Sequence, residues 1–447
     1  MSQSLPVTTW EVLKLTIPQM GLMLCHLAVS MTDLWVCGQI DGQILAVLGG
    51  ISQVFAFLML VTSMVASGCM ATVSRAVGAG LLLRARRYAG LVLCISLLAG
   101  SCVAALALLV LRLVPLHGLS SPELAPAVSL FAQAYALQLP FYYSMIILNS
   151  TFRAHKMVWL PFATLCLVAL INYAGSVGCG LGRWGLPQLG YAGVAWSTVA
   201  SSVLGFACNI ALAMRRGIIS RTSFASWRWN RAALPRLWRI GIPAALGSLA
   251  GQSGSMALLA CVANMPGNAA ETLAGMTLGM RIVSMLYFPV AAMGMTLAIM
   301  TGHLLGARRK AECYGMGLHY ARRVALIAIV AAAALLLSRH TVARWFTHDQ
   351  AAVTVAGIFL LVACAKLPLE VVGMLLQAVL DGAGATRLTS RITALTRWGI
   401  CVPLAYALTY LLHLGATGIF VSMACAEATG TLCLLYLYRQ KKWLGSL

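Results

Sequence analysis

The chain has 447 residues, 61% of them hydrophobic and only 9% charged. Soluble domains carry about 25% charged residues, so a sizeable soluble domain is excluded. The net charge of +21, from 31 Lys+Arg against 10 Asp+Glu, would point to nucleic acid in a soluble protein; here the basic residues fall in gaps between apolar segments, as charges flanking a membrane do.

Apolar stretches long enough to cross a bilayer recur along the whole chain. They predict helices at 15–38, 44–74, 89–113, 127–150, 158–182 and 190–214. The stretch before Pro18 carries Glu11 and Lys14 and is not expected to be a cleaved signal peptide. A basic linker follows at 215–239, with Trp227-Arg228-Trp229 suited to the membrane interface. A second set is predicted at 241–263, 273–304, 324–337, 351–380, 398–413 and 417–437.

The gaps alternate in charge. Arg75 to Arg87, Arg153 to Lys156, Arg215 to Arg239, Arg308 to Arg323, Arg387 to Arg397 and Arg439 to Lys442 are basic. The gaps around Asp41, His117, Arg183, Asn264, His348 and His413 are poor in Lys and Arg, apart from Arg339 and Arg344 before His348. The positive-inside rule then predicts about twelve spans, multi-pass in the cell inner (plasma) membrane, with both termini cytoplasmic. The 14 Cys are scattered singly through apolar segments, which fits packing rather than disulfides or metal binding.

The second half repeats the first. Leu139-Pro140 and Leu367-Pro368 lie 228 positions apart, as do Gly78-Ala79 and Gly306-Ala307. Ile17-Pro18 and Ile242-Pro243 lie 225 apart, as do the segments beginning at Leu189 and Leu414. Such ordered matches mark a duplication. Each half has an even number of spans, so the halves form a parallel repeat. The expected fold is an all-α integral membrane protein with about twelve transmembrane helices in two pseudo-symmetric six-helix lobes. The domains are an N-lobe at 1–214, a linker at 215–239 and a C-lobe at 240–447. Two related apolar halves with a path between them are the plan of a secondary transporter.

Three carboxylates fall inside spans: Asp33, Glu370 and Glu427. A carboxylate at membrane depth costs about 2.5–3.5 kcal/mol on insertion scales and marks a functional site. Asp33 has no basic neighbour in sequence. Lys366 stands one turn before Glu370, so the two share a helix face as a structural pair, as a coupling site, or as a switch that opens on protonation. Glu427 either couples or packs against a polar neighbour. Arg281 in the eighth span either pairs with Glu370 or braces the C-lobe. The repeat places Glu370 opposite Tyr142 and Asp33 opposite Leu258, so the lobes share a scaffold but not their polar groups.

These residues resemble the multidrug and toxic compound extrusion (MATE) transporters over nearly the whole chain. Pro18 with Asp33-Leu34-Trp35-Val36-Cys37-Gly38 is similar to the family's first helix; Ala71 to Gly80, Phe152-Arg153-Ala154, Ile171-Asn172-Tyr173, Leu189 to Val194 with Thr198, Gly302 to Ala307 and Leu380 to Gly384 are similar to later marks. The resemblance implies that Asp33 binds a coupling H+ or Na+, supported by Asn172 and Thr198, that Pro18 bends the first helix, and that Glu370 is a C-lobe coupling carboxylate. Asp33 would be a metal ligand only under Na+ coupling. The chain departs from the family pattern at Val168, Asn172, Arg75, His303, Asp381 and Gly251.

The expected function is therefore a secondary antiporter, not an enzyme, exporting amphipathic, cationic organic compounds in exchange for H+ or Na+ by rocking of two lobes. Trp35, Tyr142 and Tyr143 are candidates for apolar and cation–π contact with substrate, as are Arg281 and Lys366 for polar contact. No cofactor is expected beyond the coupling ion. The expected partners are small organic substrates and membrane lipids, not nucleic acid, and the expected state is a monomer. The alternative is a flippase for a lipid-linked saccharide or cell-wall precursor, whose anionic headgroup would call on Lys366 and Arg281. Enzyme motifs such as His-Glu-x-x-His are absent.

Overall fold

The structure, a computed structural model, describes residues 8–40, 44–113, 125–265, 269–347 and 349–445. Asp41, His117 and His348 lie outside the described residues. The chain is all-helical. Helices α1 (Thr9–Ile40), α2 (Ile44–Gly78), α3 (Leu82–Leu113) and α4 (Ala125–Ala154) are followed by α5 (Trp159–Gly175), which runs on into a π-turn at Ser176–Gly180. Next come α6 (Tyr191–Arg215), α7 (Trp227–Ala263), α8 (Ala269–Gly306), α9 (Lys310–Arg344) and α10 (Gln350–Gly382). The last two are α11 (Thr386–Leu411), which contains π-turns at Leu395–Cys401 and Ala407–Leu411, and α12 (Gly415–Arg439).

Eleven of these helices are long and apolar enough to cross a membrane. The twelfth, α4, has the length but carries Gln138 and Asn149 among its buried residues. Its polar side chains turn inward. Ser202 donates to Gln138 Oε1 at 3.1 Å, and Asn209 Nδ2 donates to Asn149 Oδ1 at 2.8 Å, both from α6. Such interhelical bonds satisfy polar groups where neither lipid nor water can. Hydropathy alone therefore undercounts a span whose polar face is buried in protein.

Helix ends differ most from expectation where charge is dense. The ninth helix, expected at 324–337, runs over Lys310–Arg344; the eleventh, expected at 398–413, starts at Thr386; the seventh starts at Trp227, inside the expected linker. Long basic side chains extend along a helix toward water. Charge therefore marks where the membrane ends, not where the helix ends. Arg397, grouped with a basic gap above, lies within α11 and not in a loop.

The chain divides into two compact units. One is Ile17–Gly241; the other comprises the described residues up to Thr16 together with those from Ile242 onward. Both α1 and α7 thus pass from one unit to the other, and both do so at their repeated Ile-Pro pair. In the second unit, the first turns of α1 are held by fully buried Val12 and by a hydrogen bond between the Thr16 and Thr296 hydroxyls at 3.0 Å. In the first unit, the opening turns of α7 bury Ala233 and Leu237 in a core with Val65 and Cys69 of α2 and Tyr88 of α3. Pro18 lies inside a continuous α1; having no N–H, it leaves the carbonyl one turn earlier without its helical partner. The core of the second unit joins Leu258, Ile282, Phe359, Leu360 and Phe420 from α7, α8, α10 and α12.

Candidate functional site

Asp33 is 8% exposed, in the later part of α1. Two helices, α5 with the π-turn that continues it and α6, bring donors to its carboxylate. Asn172 Nδ2, from the end of α5, donates to Oδ1 at 3.2 Å. Ser176 Oγ, opening the π-turn, donates to the same oxygen at 3.2 Å. Thr198 Oγ1 of α6 donates to Oδ2 at 3.0 Å and accepts from Asn172 Nδ2 at 3.2 Å. The sequence-predicted trio of Asp33, Asn172 and Thr198 is thus one hydrogen-bonded cluster. Ser176 is an addition, and its position one helical turn after Asn172 was the available signal. π-turns of this kind recur at functional sites, where the extra residue re-aims a side chain.

No ion pair is formed by Asp33 among the described residues. Hydrogen bonds to a charged group contribute about 1.5–3 kcal/mol each, so three of them offset the roughly 2.5–3.5 kcal/mol cost of a carboxylate at membrane depth. The charge is solvated by dipoles but not neutralised. Asn172 Oδ1 is buried without a hydrogen-bond partner in the protein. With both Asp33 oxygens and the two hydroxyls, it makes an oxygen-rich site within one unit. Such a set can take a proton on the carboxylate or ligate a hard monovalent cation.

The second unit treats its carboxylates differently. Lys366 Nζ lies 2.5 Å from Glu370 Oε2, and both side chains are largely buried. Tyr287 of α8 donates its hydroxyl to the same oxygen. Arg397 of α11 pairs with Glu427 of α12 at 2.6 Å. These two carboxylates thus each face a fixed basic partner. Arg281 is exposed, and none of these carboxylates pairs with it. Of its two alternatives, the pairing with Glu370 is taken by Lys366 and Tyr287, because Lys366 shares a helix face with Glu370 and Tyr287 reaches across from α8.

The aromatic candidates separate in the same way. Trp35 is 45% exposed. Tyr142 is half-buried, with its ring 5.7 Å from Phe55, which lies 5.2 Å from Tyr135. Tyr135 packs on the core that holds Val36 and Cys37 of α1, close in sequence to Asp33. Tyr143, a candidate for substrate contact, is 1% exposed, and its hydroxyl donates to the Leu58 carbonyl at 2.5 Å. It is a packing residue because it stands one position around α4 from Tyr142 and so faces the core.

The chain is similar to known proteins in sequence and in fold. Residues 18–177 and 243–407 each match the family model described as MatE. The chain is 30% identical over 291 residues to the probable multidrug resistance protein NorM of Geobacillus kaustophilus, covering 63% of this chain and 61% of that protein. It is 26% identical over 439 residues to the probable multidrug resistance protein NorM of Bradyrhizobium diazoefficiens, covering 93% and 89%. Its fold superposes on the Vibrio cholerae MATE transporter VcmN in the bent form with a TM-score of 0.87 at 20% identity, over 98% of this chain and 97% of that one.

Proposed function

The chain belongs to the MatE family of multi-pass membrane transporters, which are not enzymes, and from that premise we propose that it is an antiporter exporting amphipathic organic cations in exchange for H+ or Na+. Its curated relatives carry names of multidrug resistance proteins, which supports drug-like compounds as cargo. The observation that carries the reading is Asp33, a buried carboxylate held by three neutral donors and by no fixed cation. A mobile cation supplies the missing charge.

In the proposed cycle, an ion entering from outside neutralises Asp33. Hydrogen bonds that Asn172, Ser176 and Thr198 made to the anion are then rearranged, and α1 changes its bend at Pro18. Rocking of the two lobes carries the ion inward and the substrate outward. Exchange of one ion for one organic cation moves no net charge, so the ion's concentration gradient drives it; a tenfold ion gradient supplies about 1.4 kcal/mol, enough for a tenfold substrate gradient. The protein would act as a monomer in the inner membrane with both termini cytoplasmic, in line with the charge of its loops. The flippase alternative finds less support, since Lys366 is already neutralised by Glu370.

The test is dye efflux from proteoliposomes driven separately by a pH jump and a Na+ jump. Efflux that follows one gradient and is lost in Asp33→Asn is expected, and it names the ion. Undiminished gradient-driven efflux in Asp33→Asn would sink the assignment of Asp33.

A further inference from the structure

The Ile17–Gly241 unit contains a cleft of about 720 Å³ that the transport cycle does not use. It lies where the turn after α2 and the start of α3 meet the opening turns of α7. Arg84, Arg87 and Arg236 line it together with Tyr88 and Trp229, and no carboxylate lines it. The surrounding sequence is as one-sided: 215–239 and 75–87 contain Arg at eleven positions and no Asp or Glu.

The arginines are arranged, not merely crowded. Tyr88 and Trp229 meet edge-to-face at 5.1 Å. The Arg84 guanidinium stands 5.9 Å from the Tyr88 ring, and that of Arg87 stands 5.9 Å from the Trp229 ring. Contact with an aromatic face orients a guanidinium without using its N–H donors. Arg87 Nε is buried and has no hydrogen-bond partner in the protein. Buried donors without partners are rare and point to a ligand. The α3 N-terminus at Leu82 adds the positive end of a helix dipole.

Hydrophobic surface decides between ligands. Leu81, Leu82 and Leu83 line the same cleft and are each about half exposed, and Trp227 nearby is 76% exposed. A free inorganic anion has no use for leucines. An amphiphile with an anionic head does, and basic pockets between membrane helices are suited to such lipids. We propose that this cleft binds the phosphodiester headgroup of an anionic phospholipid, with the three arginines on the phosphate and Leu81–Leu83 against the acyl chains.

The test uses the full-length protein, delipidated in neutral detergent and titrated with dioleoylphosphatidylglycerol, dioleoylphosphatidylcholine or inorganic phosphate. Thermal melting and native mass spectrometry read binding. The variant Arg84→Gln/Arg236→Gln removes two exposed cleft residues, so folding is preserved. Arg221→Gln/Arg231→Gln removes the same charge at exposed positions outside the cleft. The expected result is phosphatidylglycerol binding and a raised Tm in wild type and in the off-cleft variant. The cleft variant should bind about 30-fold more weakly, from two arginines near the membrane surface. Equal binding by the cleft variant overturns the proposal. So does an equal Tm rise with phosphatidylcholine, or with phosphate alone, which would make the cleft a site for a free anion.

Discussion

The two units bury carboxylates by opposite means. In the Ile17–Gly241 unit, Asp33 is held by an amide and two hydroxyls. In the other unit, Glu370 and Glu427 each have a cation of their own. The repeat makes the contrast sharper. At the 225-residue offset that relates Ile17-Pro18 to Ile242-Pro243, the counterparts of Asp33, Asn172 and Thr198 are Leu258, Arg397 and Met423. Leu258 is 2% exposed in an apolar core, and Arg397 reaches Glu427 instead of an aspartate. Among the described residues, one copy of the scaffold leaves its buried carboxylate without a fixed counter-ion, and the other gives Glu370 and Glu427 one each. This contrast supports the proposal that ion coupling rests on Asp33.

The largest effect that would break this contrast is expected from Asp33→Asn. The dye gradient that a tenfold ion jump can sustain in proteoliposomes, about tenfold for one-for-one exchange, should be lost. Under the same conditions Glu370→Gln should keep its dependence on the ion gradient; the reverse pattern would place coupling in the second unit. Next comes Lys366→Met, which leaves Glu370 buried without its cation and should destabilise by about 3 kcal/mol. Lys366→Met/Glu370→Met should recover most of that loss in thermal melts. Single and double variants melting together with wild type would show that the pair is not structural. Arg397→Met should cost less, about 1 kcal/mol, because this pair is about a quarter exposed; a larger loss than for Lys366→Met would reverse the ranking. On transport, the smaller effects fall on single donors. Ser176→Ala or Thr198→Val takes from the carboxylate a hydrogen bond of about 1.5 kcal/mol, so the ion concentration for half-maximal efflux should shift about tenfold. Thr198→Ser should not shift it, and a shift as large as that of Thr198→Val would assign the effect to packing.

Much of this was legible in the sequence for physical reasons. Membrane helices announce themselves because length and apolarity are imposed by the bilayer. An intramembrane Asp33 stands out because its burial is costly, and Lys366–Glu370 follows from helical spacing. Ser176 was hidden because a serine in a membrane helix usually satisfies its own hydroxyl on the preceding turn, so its identity alone says nothing of a distant carboxylate. Tyr287 reaches Glu370 across 83 positions of sequence, a contact set by the packing of α8 on α10. Arg397 was obscured by the other arginines before it: a run of basic residues reads as a membrane edge, and the one that enters the helix bundle looks the same as the rest. Tyr142 and Tyr143 could not be told apart by residue type, since neighbouring tyrosines on one helix face different ways and only packing shows which is buried.

The two Ile-Pro crossings carry a consequence for the duplication itself. The opening turns of α1 are completed by residues from the second half of the chain, and those of α7 by residues from the first. A protein made of one half alone would carry an arm with no pocket for it and a pocket with no arm. Because the two arms are repeat counterparts, a second copy of the same half would correct both faults at once by reciprocal exchange of arms, as in domain swapping. Joined in one chain, the two halves make that exchange within a single molecule.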